Sequence, residues 1–355
     1  MTRPRISSPL AINKVMWWDT FTAKLDSGSY VLPLKGAYSI GFCDHDVSFF
    51  YSHGYPSYLR QNERKIKPQT KFQLASVSKF ITASLCMSLQ HHELISLNDP
   101  INQYFFDLTG FNLEDDYPPI SIRHLLSHSA GIKASHGFLG VNHPNDTLQE
   151  IKDFCSKGSL SMDPTLVGNY HYTGLSQWIL QRFLTLKTQK SYAELLKYFL
   201  AEPYELQNLT SDPPEFAETQ SGSVALGLLQ TSPEFLEGYH YFPEAESAAG
   251  VWASAEDLIQ LITLCLNPSP LKIAMSFTNL LQSSDALTSQ YRLGVELARY
   301  ESKSVVQHFG VNPGYRCMFM ASTRLRRGFC ILCNDPSISS LLRPLSLSLL
   351  RLMHI

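Results

Sequence analysis

What this chain lacks narrows its role first. It has no apolar run approaching the roughly 18 residues that a membrane-spanning helix needs, and no basic stripe of the kind that holds nucleic acid. Lys and Arg number 29 against 31 Asp and Glu, a formal net charge of −2, so no nucleic acid partner is expected. Charged residues are only 17% of the 355, and hydrophobic ones are 44%, the balance of a globular chain with a well-buried core. The opening "MTRPRISSPLAINKVMWW" is basic but holds no sustained apolar stretch of the roughly 7–15 residues a secretory signal uses. A cytoplasmic location is therefore the expectation.

Cysteines are few and scattered: Cys43, Cys86, Cys155, Cys265, Cys317, Cys330 and Cys333. An odd number at irregular spacing points to reduced, buried thiols rather than a disulfide framework. "CILC" at 330–333 has redox spacing, but it lies in a β-rich run with no helix start beside it. Glycine-rich phosphate loops and a Gly-x-Ser-x-Gly elbow are also missing, which removes nucleotide binding and α/β-hydrolase chemistry as main readings. His124 and His128 stand four apart with His136 nearby, a spacing that suits zinc on a helix, yet no Cys or carboxylate completes a set. "HHELI" is not the His-Glu-x-x-His motif. No metal and no cofactor is expected. The acids of "CDHD", Asp44 and Asp46, read as a solvated hairpin turn.

The chain runs strands, helices, strands. "AYSIGFC" (37–43) and "VSFFYSHGY" (47–55) read as a hairpin. Residues 76–90 carry apolar groups on nearly every helical face, as a helix inside a domain does. Helical signals follow at 120–128, 147–156, 174–186, 191–201 and 254–266, and 207–250 reads as loop. Strands return at 291–300, 304–309, 315–322 and 328–334, before a last helix near 338–353. The expected fold is α+β, an α/β sandwich. One antiparallel sheet is built from both chain ends (1–100 and 266–355) and flanked by helices, with a mainly helical insert (101–265). The ligand site is expected in the cleft between them.

Within "FQLASVSKF" (72–80), Ser76 and Lys79 stand three apart, neighbours on one helical face. A serine hydroxyl needs a base before it becomes a nucleophile. A lysine in an apolar cleft can supply one, because burial disfavours its charged form. The tetrapeptide alone equally describes a capped helix start, and the chain holds a second copy, "SPLK" at 269–272.

The surroundings decide between these. "FQLASVSKFITA" closely resembles the active-site helix of the serine β-lactamase and penicillin-binding-protein superfamily, on its class C-like branch. "LNDPINQYF" (97–105), "ISIRHLLSHSAGI" (120–132), "EPYELQNLT" (202–210), "ESAAGVWASAEDLIQL" (246–261), "YRLGVEL" (291–297) and "HFGVNPGYRCMF" (308–319) resemble further segments of that family, in the same order. The resemblance spans about residues 37 to 350.

It implies that Ser76 is acylated and that Lys79 helps activate it. It also implies a Tyr-x-Asn motif, and "PTLVGNYHYTGL" (164–175) places Tyr170 at the tyrosine as a proton relay. Tyr172 stands where the family has asparagine, whose amide bonds the substrate's acylamide and steadies the lysine. His308 of "HFG" occupies the position of the third motif, where a cationic or hydrogen-bonding group faces the substrate. Gly310 there implies close approach of substrate to backbone, and the N–H groups of Ser76 and Val311 imply an oxyanion hole. The expectation is a serine hydrolase acting on a small-molecule or peptide-like ester or amide through an acyl-Ser76 intermediate, rather than an efficient β-lactamase. Acyl transfer through the same intermediate and a non-catalytic binding relative are the alternatives.

Overall fold

The computed structural model describes residues 15–26, 36–60, 65–133, 160–230, 236–242, 244–267, 275–281, 290–300 and 302–354. The anticipated helix at 147–156, the second Ser-x-x-Lys copy, Cys155 and His136 lie outside them.

Six strands form one antiparallel sheet: β1 (Tyr38–Asp44), β2 (Val47–His53), β3 (Glu296–Tyr300), β4 (Lys303–Asn312), β5 (Tyr315–Ser322) and β6 (Arg327–Cys333). Their spatial order is β2-β1-β6-β5-β4-β3. The first strand from the N-terminal part thus pairs with the last from the C-terminal part, Ile40 opposite Ile331.

Both faces of this sheet are covered, so its strands are buried on both sides rather than alternating apolar and polar. On one face Ile40, Phe42, Met318, Met320, Phe329 and Ile331 pack with Phe21 of α1 (Val15–Asp26). Leu342, Leu345 and Leu349, spaced along one stripe of α6 (Ser339–Leu352), cover the same face. On the other face lie α2 (Ser78–His91) and α5 (Ala255–Leu266). Gly41 has no room for a side chain there, since a Cβ would stand 2.5 Å from Ile259 of α5.

Cys330 packs in the core on the α5 side and Cys333 in the core on the opposite side. Strand alternation therefore separates the two thiols of "CILC" across the sheet, and burial pushes both thiols up.

The helix carrying Lys79 is buried from Ser78 to Leu89. Its Phe80 ring lies 4.7 Å from Phe319 of β5 and 5.7 Å from Phe277, which seats the helix against the sheet. The helical residues between the strands include α3 (Ile122–Leu126), α4 (Gly174–Thr188) and the Tyr192–Leu196 turn.

Four expectations differ from the structure. Residues 207–250 are not simply loop: they contain a helix at Phe216–Ser221, paired strands at Gly227–Gln230 and Leu236–Gly238, and a wide helical turn at Glu246–Gly250. The polar composition hid the Glu215–Glu218 capping box and the pairing of Lys71 with Glu218 that hold the helix in place. Of 291–300 only the second half joins the sheet. Gly294 has φ +67°, and a Cβ there would stand 2.4 Å from the Lys79 carbonyl oxygen, so the chain turns tightly over α2 before β3 begins. Asp44 is not solvated as its neighbour Asp46 is. It is 1% exposed and stands 2.6 Å from His45 and 3.2 Å from Arg327, its cross-strand partner. Finally, α1 lies in the basic N-terminal stretch that promised no element.

Candidate active site

Ser76 sits in a single tight turn, Ala75–Val77, immediately ahead of α2. Ala75 before it is buried and has φ +50°. A left-handed alanine costs about 1–2 kcal/mol, so the surrounding contacts must impose this conformation. Those contacts are visible: Phe72–Gln73 pairs with Trp252–Ala253, and Leu74 N–H donates to Val251 O at 2.8 Å.

Lys79 is 2% exposed. Its Nζ donates to Ser76 Oγ at 3.2 Å and to Ala248 O at 2.8 Å. The Ala248 carbonyl belongs to the Glu246–Gly250 turn, which is pinned on several sides. Ser247 N–H donates to Gln181 Oε1, Ser247 Oγ donates to Gln177 O, and Asn312 Nδ2 donates to Ala249 O at 3.0 Å. The same Asn312 amide donates to Gln73 Oε1 at 2.8 Å, joining β4 to the strand that leads into Ser76. The serine–lysine pair is therefore set by four separate stretches of chain.

Strand β4 forms the next wall. Its ladder with β3 runs from Lys303 to Gln307, and beyond it β4 lies beside the serine turn. Gly310 is required there. A Cβ would stand 2.4 Å from Leu74 O, 3.1 Å from Ala75 Cβ and 3.2 Å from Ser76 N. The close approach that this glycine permits within the chain is to the turn that carries Ser76. Val311, next along, is 64% exposed, and Phe309 is exposed on the same side.

Of the cationic or hydrogen-bonding group expected at this motif position, His308 is the hydrogen-bonding kind, not the cationic one. It is 5% exposed, its Nδ1–H donates to Phe309 O at 2.8 Å, and its Nε2 accepts from the Tyr291 hydroxyl at 3.0 Å. Burial, and then the Lys79 charge, lower its pKa to about 3. It is a neutral ring with both nitrogens engaged.

The loop with Tyr170 and Tyr172 follows the strand Met162–Val167 and hangs from two residues after α3. Gly168 N–H donates to Ser129 O at 2.9 Å, His171 N–H to His128 O at 2.7 Å, and Thr173 N–H to His128 Nδ1 at 3.4 Å. This places the Tyr172 ring against the Lys79 ammonium, 5.0 Å from Nζ to the ring centroid, a distance at which a cation is attracted to the aromatic face. Tyr170 stacks instead on Tyr291 at 5.5 Å, and among the described residues its hydroxyl makes no hydrogen bond to Ser76 or Lys79. Burial, followed by Tyr172 and Glu296, raises the Tyr170 hydroxyl to about 12, so it is a neutral phenol.

The structure thus brings Ser76, Lys79, Tyr172 and the Gly310–Val311 backbone together, with His308 behind them and Tyr170 one ring further out. Two residues escaped the motif reading. Tyr291, fully buried, is the hub on which the rings of His128, Tyr170, His308 and Tyr172 pack at 5.0, 5.5, 5.7 and 6.0 Å. No motif marks it. His128 was visible only as part of the "HLLSHSAGI" helix signature or a possible zinc pair. Here it is 1% exposed with φ +54°, while His124 caps α3 through Ser121. Burial, and then the Lys79 charge, hold His128 well below the usual histidine range. No ligand set for a metal forms among the described residues.

A family model described as Beta-lactamase matches residues 36–342. The chain belongs to the beta-lactamase family. Its fold is that of solved members. A D-amino acid amidase from Ochrobactrum anthropi SV3 superposes with a TM-score of 0.70 at 18% identity, over 90% of this chain and 91% of that one. A beta-lactamase/D-alanine carboxypeptidase from Pseudomonas syringae gives 0.69 at 18% identity, over 90% and 94%. In sequence the chain is similar to a teichoic acid D-alanine hydrolase of Staphylococcus aureus, 26% identical over 210 residues. That match covers 57% of this chain and 48% of the relative, so the chain spans about half the length of the curated relative it matches.

Proposed function

We propose that this protein is a serine hydrolase that cleaves an ester or amide through an acyl-Ser76 intermediate. The observation that carries the reading is the contact of Lys79 Nζ with Ser76 Oγ at 3.2 Å, inside a pocket wall fixed by Ala248 and Asn312. With the amine neutral the same contact reverses, and the Ser76 O–H donates to Nζ. Lys79 then takes the proton as Oγ attacks a carbonyl carbon. The backbone N–H groups of Ser76 and Val311 receive the developing oxyanion. Tyr170, a neutral phenol in this structure, passes a proton to the leaving group when substrate draws it inward; catalytic hydrogen bonds are often long before substrate binds. His308 acts as a positioning residue, bracing Tyr291 and β4. Once the Lys79 ammonium has passed its proton to Tyr170, restoring the phenol, the neutral amine takes a proton from water as it attacks the acyl carbon, and that proton returns to the Ser76 oxygen as the acyl–oxygen bond breaks.

The substrate reading is a small-molecule or peptide-like acyl compound. The names of similar proteins, a D-alanine hydrolase and a D-amino acid amidase, support aminoacyl esters and amides as the first compounds to try.

The test is hydrolysis of p-nitrophenyl esters and a chromogenic cephalosporin by wild type and Ser76→Ala. Loss of ester turnover by at least about a thousandfold, with a mass adduct on Ser76 in wild type, is expected. Equal rates in the two proteins remove Ser76 from the mechanism.

A further inference from the structure

The geometry points to Tyr172, held in place by His128, as the residue that sets which acyl groups reach Ser76: its ring closes the side of the cleft where the family carries an asparagine, admitting small acyl groups and excluding branched acylamino ones. This rests on the hydrolase reading above and adds its selectivity.

Three observations support it. The Tyr172 ring lies 5.0 Å from Lys79 Nζ and yet is 42% exposed, so one part of it is held beside the catalytic amine while the rest lines open space. The backbone that carries the ring is held in place. The His171–Thr173 segment is tied at both ends to His128, through its carbonyl (2.7 Å) and its Nδ1 (3.4 Å). The His128 ring itself packs 4.5 Å from the Tyr172 ring. Finally, His128 is a costly residue in this position. It is non-glycine at φ +54°, and with Nδ1 accepting, its buried Nε2–H has no hydrogen-bond partner among the described residues. A strained backbone and an unpaired buried donor persist where the surroundings or the function demand them. Hanging the tyrosine loop over Lys79 supplies that demand.

A phenol ring cannot reproduce the paired donor and acceptor of a carboxamide. An acylamino substrate brought to this wall therefore meets bulk and an unpaired amide, both of which oppose binding. A small acyl ester asks nothing of that wall. The ring, not its hydroxyl, makes the selection.

The experiment compares the rate of Ser76 acylation by p-nitrophenyl acetate and by benzylpenicillin, read by intact and peptide mass in the full chain. Tyr172→Asn is expected to raise the penicillin-to-acetate rate ratio by at least about tenfold. Tyr172→Phe leaves the ratio at the wild-type value. His128→Leu, which removes the acceptor for Thr173, moves the ratio in the same direction as Tyr172→Asn, whereas His128→Asn, with an amide oxygen as acceptor, preserves it. Should His128→Leu not fold, the two Tyr172 variants carry the test. The inference is overturned if Tyr172→Asn leaves the ratio within about twofold of wild type, or if Tyr172→Phe shifts it equally. In those cases acetate still labels Ser76 and the hydrolase reading stands. If neither reagent labels Ser76 in wild type or in Tyr172→Asn, the hydrolase reading fails and takes the inference with it.

Discussion

The floor and the rim of the site are built in different ways. The floor comprises Ser76, Lys79, the Ala248 carbonyl, Asn312 and His308, nearly all buried and tied by hydrogen bonds between distant stretches of chain. The rim comprises Tyr170, Tyr172, Phe309 and Val311, between 37% and 64% exposed, and its two tyrosines are held mainly by ring contacts and one loop suspended from His128 and Ser129. Buried hydrogen-bonded groups have one arrangement, because leaving any of them unpaired is expensive. Stacked, half-exposed rings have softer constraints. On the proposed function the chemical step belongs to the floor and the choice of substrate to the rim, and each can be broken separately.

The largest expected effect comes from the floor through pH. His308 is neutral in the folded state with a pKa lowered to about 3, against about 6.5 unfolded. The unfolded chain therefore binds the extra proton first as pH falls. Stability from this group is full above about pH 6.5 and is lost as pH drops toward 3, a contribution of roughly 5 kcal/mol at most. Thermal melts across that range should fall in wild type and fall less steeply in His308→Gln, which keeps an acceptor for Tyr291. An identical slope in both proteins would show that His308 is not buried neutral.

A smaller effect is expected from Gly310→Val. The new side chain meets Leu74 O and Ala75 Cβ, so the serine turn must shift, and kcat for ester hydrolysis should drop about a hundredfold with Lys79 untouched. Activity near wild type would mean that the contact of β4 with the serine turn is looser than the structure has it. The smallest effect belongs to the rim. Tyr170→Phe keeps the stack on Tyr291 and removes only the hydroxyl, which stands apart from Ser76 and Lys79, so kcat should fall about tenfold, less than general acid–base groups usually contribute, without a change in melting temperature. A loss as large as that of Ser76→Ala would move Tyr170 into the floor.

Much of this was legible beforehand. The apolar and aromatic runs of most of the six strands, the buried helix after Ser76 and the Ser-x-x-Lys pair were all visible because each is a local pattern, set by residues within one turn or one strand. The role of Gly310 was only half legible: its motif position was clear, but which backbone it had to admit was not. Asp44 was misread for the same reason, since its partner Arg327 lies on a strand from the other end of the chain. Tyr291 and His128 lie in segments that resemble the family, but nothing in those segments marked either as a site residue, yet the rings of the site gather on the first and the tyrosine loop hangs from the second.

Taken alone, the order of residues determined that a serine and a lysine share a helical face, that two sets of strands enclose a helical stretch, and that a tyrosine replaces an asparagine. Only the folded chain decided that this tyrosine lies against the lysine, that His308 is a neutral brace and that Tyr170 stands apart from the nucleophile. The physical reason is range. Secondary structure follows from neighbours a few positions away, whereas burial, charge state and ring packing depend on groups that meet only when segments hundreds of residues apart close around the same volume.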